Sequence, residues 1–356
     1  MANQDIGTPR FYPDLINYHR ARGAVIGTVS AISNTIAVQS GSADELFDLR
    51  PLNQVTFDTS ADDEDHVLIN VAFTTASYKQ NYIAILNHNL ATADGKIRIY
   101  AGNVIGDITT LDGGECETAD INWGTVTNTE IVNADTITNA SDSKSLVIEP
   151  GTDGTTIITF SEQDLRYWAI QFEGADGGSG ADTDETWGST DLAVGGIMIG
   201  EYFDMPHAPD MAVKKSIIYD NVSVQESLGG QRYSNATSFG RTASATSKSP
   251  FALGTYGQAM YGGRQAYDMN FSYLNNTDLI PVETPVYQFA DDTVVSDVWN
   301  VVDGPARPFI FSIDNTSVGN NAESEHMFAR FAQNSLDMTQ VMHKIWSVNM
   351  RIEEEF

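Results

Sequence analysis

A matched pair of segments that contain apolar runs constrains the fold of this chain most strongly. The first, Tyr82 to Gly102, begins as a nearly continuous apolar run and continues as an alternating strand in which Ile97 and Ile99 share a face. The second, Tyr167 to Pro206, contains the apolar runs YWAIQF and GGIMIG. A short run that is apolar on both sides is typical of a fully buried strand, whereas alternation indicates one solvated face. We interpret the two segments as the two halves of one β-sandwich.

Length and composition limit the number of domains and the kinds of site that this chain can have. A chain of 356 residues is longer than one hydrophobic core usually stabilises, so more than one domain is expected. With 41% hydrophobic residues, the chain can form packed cores. The single cysteine, Cys116, excludes an internal disulfide framework and a multi-cysteine zinc site. The first residues, MANQDIGTPRFY, predict no signal peptide, and no apolar run is long enough to predict membrane insertion.

The charge is strongly acidic and unevenly placed. The net charge is −29, with 9 basic and 32 acidic residues in 1–210 but 10 basic and 16 acidic residues in 211–356. Direct nucleic-acid binding is not expected, because a phosphate backbone is bound by clustered Lys and Arg. We expect the first part to be a solvated acidic surface and the second part to pack against other protein. The alternative is that the acidity only maintains solubility.

Glycine, proline and polar clusters divide the chain into three parts. Residues 1–25 form an extended N-terminal arm that lies either across a neighbouring subunit or on its own domain. Residues 26–208 form the sandwich domain, with polar insertions near 103–154 and 174–188. The prolines of MPHAPDM disfavour regular structure, so the boundary is placed there and residues 209–356 form a second β domain.

The second β domain has clear periodicities. Alternation predicts one strand in AYDMNFSYL, another in RPFIFSID and a last one in KIWSVNMRIEEEF. One short helix is predicted in DDTVVSDVWNVVDG, with Asp292 as its N-cap and Asp303 and Gly304 at its end. Residues 233–263 have few large side chains and weak patterning, which favours a long loop. The predicted fold class is therefore all-β, with two principal domains.

The order of these segments resembles known viral proteins. The stretches GGRQAYDMNFSYL, VVSDVWNVVDGPARPFIFSIDN and KIWSVNMRIEEEF together resemble the β-barrel domain of tail-tube and distal-tail proteins of tailed bacteriophages. The stretch NYIAILNHNL, closed by GGIMIGEYFDMP, is similar to the galactose-binding-like (discoidin-type) jelly-roll sandwich common in phage tail and baseplate proteins.

The resemblance implies a structural subunit of a tailed-phage virion, assembled in the host cytoplasm and without enzymatic activity. Such a subunit forms a ring at the tail tip or baseplate and supports fibres or host-surface contact. Its partners would be copies of itself and other virion proteins, since paired sheet edges and symmetry let one interface serve every subunit. A capsid or collar decoration protein is an alternative. The candidate assembly residues are Tyr267, Phe271, Trp299, Phe309 and Trp346.

A carbohydrate-binding adhesin or fibre module is the second class of function. Trp123 and Trp187 precede glycine in polar stretches, so they are candidates for stacking on a host-surface glycan. Trp168 lies inside an apolar run, and we expect it in the core instead.

Catalytic and metal motifs are weak. The sequence has no GxSxG, HExxH or GxxxxGK[ST] motif, and its six histidines are far apart, so no enzyme and no cofactor are expected. Carboxylates gather in DDEDH (62–66) and DGGSGADTDE (176–185), where flexible oxygen ligands would suit Ca²⁺. The ordinary explanation of both runs is a solvated acidic loop, and neither run has EF-hand spacing.

Overall fold

The computed structural model describes residues 6–23, 27–29, 35–61, 66–73, 79–110, 116, 118–176, 185–219, 222–236, 263–281, 292–318 and 322–355. Strands dominate, and every strand pair in these residues is antiparallel, which confirms the predicted all-β class. The helices are short: α1 (Leu15–Arg20), α2 (Asn276–Leu279) and α3 (Ala322–Glu325).

The strands divide at the predicted domain boundary as follows. Before it lie β1 (Arg10–Tyr12), β2 (Gly27–Val29), β3 (Val38–Ser40), β4 (Val55–Phe57), β5 (Val67–Ala72), β6 (Gln80–His88), β7 (Gly95–Gly102), β8 (Asn128–Val132), β9 (Thr136–Asn139), β10 (Leu146–Glu149), β11 (Gly154–Gln163), β12 (Tyr167–Asp176), β13 (Glu185–Thr186), β14 (Leu192–Val194), β15 (Gly196–Gly200) and β16 (Phe203–Asp204). After it lie β17 (Lys214–Ile218), β18 (Val222–Glu226), β19 (Arg232–Ala236), β20 (Arg264–Asn275), β21 (Phe309–Ser312), β22 (His326–Phe331), β23 (Met338–Met342) and β24 (Ile345–Glu354).

Hydrogen bonding groups these strands into five sheets. A seven-stranded sheet has the order β2-β5-β12-β7-β10-β9, with β13 on β12, and a four-stranded sheet has the order β15-β6-β11-β8. An eight-stranded sheet has the order β16-β1-β21-β22-β24-β20-β17, with β23 on β24. A three-stranded sheet (β14-β4-β3) and the hairpin β18-β19 complete the set. None of these sheets closes into a barrel within the described residues.

The predicted sandwich is present. One apolar core joins the inner faces of the seven-stranded and four-stranded sheets, and it contains Ile97 and Ile99 of β7, Ile83 of β6 and Ile197 of β15. Trp168 is fully buried in this core, as expected. Strands β8, β9 and β10 also belong to these two sheets, so residues 128–149 are part of the sandwich rather than an insertion into it.

The four-stranded sheet is covered on its second face as well. Tyr82 on β6 and Met198 on β15 pack there with Tyr12, Ile310 and Phe328 from the eight-stranded sheet. The three sheets are therefore stacked, with the four-stranded sheet in the middle. This explains why β6 is apolar on both sides.

A second large core covers the other face of the eight-stranded sheet, where the segment 294–302 packs on it. This segment contains a π-helical turn, Val294–Trp299. Its N-cap is Thr293, whose hydroxyl accepts from Ser296 N at 3.2 Å, so the prediction of Asp292 was wrong. Asp292 instead has a φ of +54°, which does not suit an N-cap with extended backbone. The segment turns away at Asp303 and Gly304, as predicted, where both residues have positive φ.

The N-terminal arm packs on its own chain. Strand β1 lies between β16 and β21 in the eight-stranded sheet, and α1 buries Leu15 and Ile16 in the sandwich core. Tyr82 donates its hydroxyl hydrogen to Pro13 O at 2.8 Å. For residues 6–23, the alternative of an arm lying across a neighbouring subunit is not what the structure shows.

The predicted boundary segment is tightly held. Met205 is buried in the second core, and its backbone nitrogen donates to Pro9 O at 2.9 Å. Asp210 accepts hydrogen bonds from Asn270 at 2.5 Å and from Ser272. The division of the chain into domains at 208 and 209 stays a prediction, but strands from both sides of it share the eight-stranded sheet.

Candidate functional site

The residues predicted to form an assembly surface lie mostly inside the second core. Tyr267, Phe271 and Phe309 are buried there, which corrects the prediction for these three. Trp299 and Trp346 are half-buried against the same core. Alternation identifies the apolar face of a strand, but it does not tell whether that face is covered by the same chain or by a partner.

The two candidate glycan-stacking residues are also buried. Trp123 is fully enclosed in the sandwich core, where its Nε1 donates to Ile99 O at 3.0 Å and its ring lies edge-on to Phe160. Trp187 is 6% exposed and packs in the same core. Neither ring offers a free face to a sugar, so both predictions are corrected.

Exposed apolar side chains are concentrated in the second part of the chain. Among the described residues, eleven large exposed apolar side chains lie between 211 and 342, and three lie elsewhere. The three are Ile6, Val104 and Ile105. The eleven are Met211, Ile217, Tyr219, Val224, Leu228, Tyr233, Tyr273, Val318, Met338, Val341 and Met342.

The hairpin β18-β19 is the most exposed regular element. Every residue from 223 to 234 is exposed, and the two strands pair from Val222 with Ala236 to Glu226 with Arg232. At the turn, Ser227 N donates to Gln231 O at 2.8 Å, and Gly230 adopts a φ of +80°. The hairpin pairs with no other sheet in the described residues. It therefore projects from the body of the protein.

Strands β17 and β23 carry further exposed backbone. Strand β17 ends the eight-stranded sheet, and no described strand pairs with its second edge. Lys214 and Lys215 lie on it, and lysine on an edge strand discourages indiscriminate pairing. Strand β23 is exposed along its whole length, including Met338, Val341 and Met342. The described surface of the second part thus combines open strands with apolar side chains.

A cavity of about 370 Å³ lies between the turn 90–96 and residues 149–151. Its charged lining residues are Asp94, Lys96 and Glu149, and none of its lining residues is aromatic. Lys96 Nζ lies 3.2 Å from a carboxylate oxygen of the buried Glu173, which also accepts from Arg98 at 2.8 Å. The cavity thus lacks the aromatic platform expected at a sugar-stacking site.

Two carboxylates, Glu201 and Asp297, interact electrostatically, and the pKa of Glu201 is strongly raised. Burial, and after it the negative charge of Asp297, raise the pKa of Glu201 to about 8. Asp297 is held in place, because it accepts hydrogen bonds from Thr293 N at 2.9 Å and from Ser296 Oγ at 3.0 Å. Glu201 directly follows β15, and Asp297 belongs to the segment 294–302.

Two buried histidines have structural partners. His88 Nε2 lies 2.8 Å from Thr156 Oγ1, and burial lowers the pKa of His88 to about 3. His326 Nδ1 lies 2.8 Å from Ala322 O, and burial lowers the pKa of His326 to about 4. Both rings are therefore neutral near pH 7, and their contacts are typical of core histidines.

The proposed calcium sites fall largely outside the described residues, which omit 62–65 and 177–184. Within the part of the chain that is described, no three His, Cys, Asp or Glu side chains lie close enough to share a metal ion. In the same part, no helix has the length and apolarity needed to cross a membrane.

Comparison with known proteins found no matching family model, no matching curated protein and no matching solved structure.

Proposed function

We propose that this chain is a structural subunit of a tailed-phage virion that assembles into a ring at the tail tip or baseplate. The observation that carries the proposal is the concentration of exposed apolar side chains and open strands in the second part of the chain. The proposal also rests on the sequence resemblance described above. It assigns to the subunit a role in assembly, with copies of itself and other virion proteins as partners.

The distribution of exposed apolar surface supports assembly through the second part. Single exposed apolar side chains are ordinary on soluble proteins, but a large exposed set on open strands is typical of an interaction surface. Strands β17 and β23 present both features. The acidic first part, by contrast, exposes few large apolar side chains in its described residues. It would face solvent in the assembled ring.

The direct test is the size of the purified protein. Sedimentation velocity and negative-stain electron microscopy should show a defined multi-subunit species, and rings in the images would support the proposed geometry. Replacing Val341 and Met342 of β23 together by Lys should weaken this species, because both side chains are exposed and apolar. The matched control replaces Val104 and Ile105, two exposed apolar residues of the first part, by Lys.

The outcomes separate the classes of function. A protein that stays monomeric up to high concentration, and binds a glycan array as a monomer, would favour the adhesin alternative and count against the proposal. Assembly that is weakened equally by the β23 variant and by the control would show that the second part is not the interface. To separate tail tip from collar or capsid, immunogold labelling of the intact virion is the suitable measurement.

A further inference from the structure

His326 lies at the contact between the N-terminal arm and the eight-stranded sheet. It is the first residue of β22, it is 3% exposed, and its ring centre lies 5.8 Å from that of Tyr12 on β1. Its Nε2 lies 3.4 Å from the Tyr12 hydroxyl, and its Nδ1 lies 2.8 Å from Ala322 O. Both ring nitrogens therefore have a partner, and one of these partners belongs to the arm.

These two partners select one form of the ring. A carbonyl oxygen can only accept, so Nδ1 carries a hydrogen and donates it to Ala322 O. In the neutral ring Nε2 is then an acceptor, and the Tyr12 hydroxyl donates to it. A proton added to Nε2 would point at the oxygen of this hydroxyl, whose own hydrogen would lose its acceptor. Protonation of His326 thus disrupts the present hydrogen bond between the ring and the arm.

The surroundings of His326 also oppose a positive charge on the ring. Burial lowers the pKa of His326 from 6.5 to about 4; the hydrogen bond to Ala322 O opposes this effect, and the positive charge of Arg10 on β1 adds to it. Strand β21, which pairs with β22, has no charged residue. The other described charged or titratable side chains on the elements packed around His326 are Tyr82 and His88 of β6, Glu130 of β8, Tyr202 and Asp204 at β16, Glu325 of α3, Arg330 of β22, and Arg351, Glu353 and Glu354 of β24.

A second buried histidine lies on the arm itself. His19 of α1 is 6% exposed, and its ring centre lies 5.8 Å from that of Phe73 in the sandwich core. Burial, and after it the charge of Arg22, lower the pKa of His19 to about 4. Asp14 acts in the opposite direction, because burial raises its pKa from 3.8 to about 6. The other described charged side chains around α1 are Arg20 with its partner Asp44, Arg307, which donates to Asn17 O, and Arg166, which donates to Phe73 O.

We propose that acid releases residues 10–20 of the N-terminal arm from the body of the protein, with His326 as the trigger. Protonated His326 and Arg10 would repel each other across the contact between β22 and β1. Strand β1 has only three residues, and it pairs with β21 over three residues and with β16 over two. Release of this small element hydrates both histidines and leaves the pairing within the sandwich sheets intact. The arm is thus a pH-sensitive strap, closed near pH 7 and open in acid.

The test follows amide hydrogen exchange of the full chain at pH 7, 5.5 and 4, with rates corrected for the intrinsic effect of pH on exchange. A change in pKa from 6.5 to about 4 lets His326 alone favour opening by at most about 300-fold. Protection of residues 10–20 should therefore fall at least about tenfold between pH 7 and pH 4. Strands β7 and β12 of the sandwich should stay protected over the same range.

His326→Gln is the matched variant. The glutamine amide can donate to Ala322 O and accept from the Tyr12 hydroxyl, but it does not ionise in this range. Because the titrations of His19 and Asp14 largely cancel, protection of residues 10–20 in the variant should change less than about fivefold from pH 7 to pH 4. His343→Gln changes an exposed histidine between β23 and β24, and it should keep the full acid response.

A second measurement covers the case in which His326→Gln does not fold. NMR titration of the histidine ring protons in the natural chain, from pH 7.5 to pH 3.5, follows the ionisation of all six histidines. His326 should gain its proton in the same pH range in which residues 10–20 lose protection. The exposed His343 provides the internal reference.

Three results would overturn the inference. The first is loss of protection in residues 10–20 only together with β7 and β12, which would mean global unfolding in acid. The second is an equal acid response of the natural chain and His326→Gln. The third is protonation of His326 while residues 10–20 stay protected. None of these results bears on the proposed role in assembly, because the inference does not rest on it.

Discussion

Arg10 and Asp204 form a two-bond ion pair across 194 residues of sequence. Arg10 Nε lies 2.6 Å from Asp204 Oδ1, and Nη2 donates to Oδ2 at 2.8 Å. The guanidinium also lies 3.9 Å from the ring centre of Tyr202. The pair joins β1 to β16, so the first strand of the chain is fixed in the eight-stranded sheet beside the last strand before the predicted boundary.

Loss of this pair should destabilise the protein. Arg10 is largely buried, and Arg10→Ala removes two charge-assisted hydrogen bonds and the contact with Tyr202. We expect a decrease of about 2 kcal/mol in the free energy of unfolding. Arg10→Lys should lose part of this, because an ammonium cannot form the two-bond geometry. Urea denaturation measures both changes.

The control for this prediction is an exposed ion pair. Arg351 Nη2 lies 2.7 Å from Glu353 Oε1, but Arg351 is 51% exposed. Arg351→Ala should therefore change the free energy of unfolding by less than about 1 kcal/mol. Equal effects of Arg10→Ala and Arg351→Ala would contradict a special role for the Arg10 pair.

Asp14 couples α1 to the sandwich. Its carboxylate accepts from the backbone nitrogens of Ile16 at 3.2 Å, Asn17 at 2.9 Å and Ile199 at 3.3 Å. Asp14→Ala removes the N-cap and leaves buried donors without an acceptor, which should cost about 2 kcal/mol. Asp14→Asn keeps one oxygen and should cost less. Chemical denaturation measures the difference.

An exposed turn aspartate provides the comparison for Asp14. Asp142 also accepts from a backbone nitrogen, that of Lys144 at 2.9 Å, but it is exposed and belongs to a turn. Water can replace the lost acceptor there, so Asp142→Ala should have little effect on stability. If both alanine variants unfold at the same denaturant concentration, Asp14 does not anchor the arm.

Local patterns predicted the sandwich strands well, because a strand that is buried on both faces has apolar side chains at successive positions. The run YIAIL of β6 has apolar side chains on both faces, and both faces are indeed covered. The pattern did not reveal the covering partner on the second face, which is the eight-stranded sheet. That sheet takes β1 from the start of the chain and β21 from near its end, and such long-range pairing leaves no local signal.

The local sequence predicted exposed rings for Trp123 and Trp187, and both rings are buried. Trp123 stands beside Asn122 and Gly124 in a polar stretch, which favoured an exposed ring. Its indole nevertheless reaches Ile99 O and Phe160, both distant in sequence. The hairpin β18-β19 was not predicted from the sequence. Its strands pack on no core within the described residues, so they lack a regular apolar pattern.

Glycine is needed at position 195 because the backbone at Pro51 passes close to it. A Cβ at this position would lie 2.0 Å from Pro51 O, and the backbone is fixed because Gly195 N donates to Leu86 O at 2.9 Å. Gly195→Ala should therefore decrease the free energy of unfolding by about 2 kcal/mol, as overpacking does. The matched control is Gly106→Ala, where a Cβ would meet nothing within 4 Å. Thermal and urea unfolding should separate the two variants clearly, and similar unfolding would show that the turn containing Pro51 moves at little cost.

Glu201 makes stability depend on pH in a defined direction. Burial, and then the charge of Asp297, raise the pKa of Glu201 from 4.5 to about 8. The unfolded chain thus ionises this carboxyl at lower pH than the folded chain does. Its contribution to folding is therefore absent below about pH 4.5 and becomes increasingly unfavourable as the pH rises to about 8. Above that pH the penalty is constant.

Glu201→Gln should consequently stabilise the protein only at the higher pH. The amide keeps the shape of the side chain and cannot ionise, so the variant and the natural chain should have equal melting temperatures at pH 4.5. At pH 8.5 the variant should melt at a higher temperature. Glu149→Gln, which changes an exposed carboxyl on β10, serves as the control and should show no such divergence. A melting-temperature gain for Glu201→Gln that is the same at both pH values would mean that packing, rather than ionisation, is responsible.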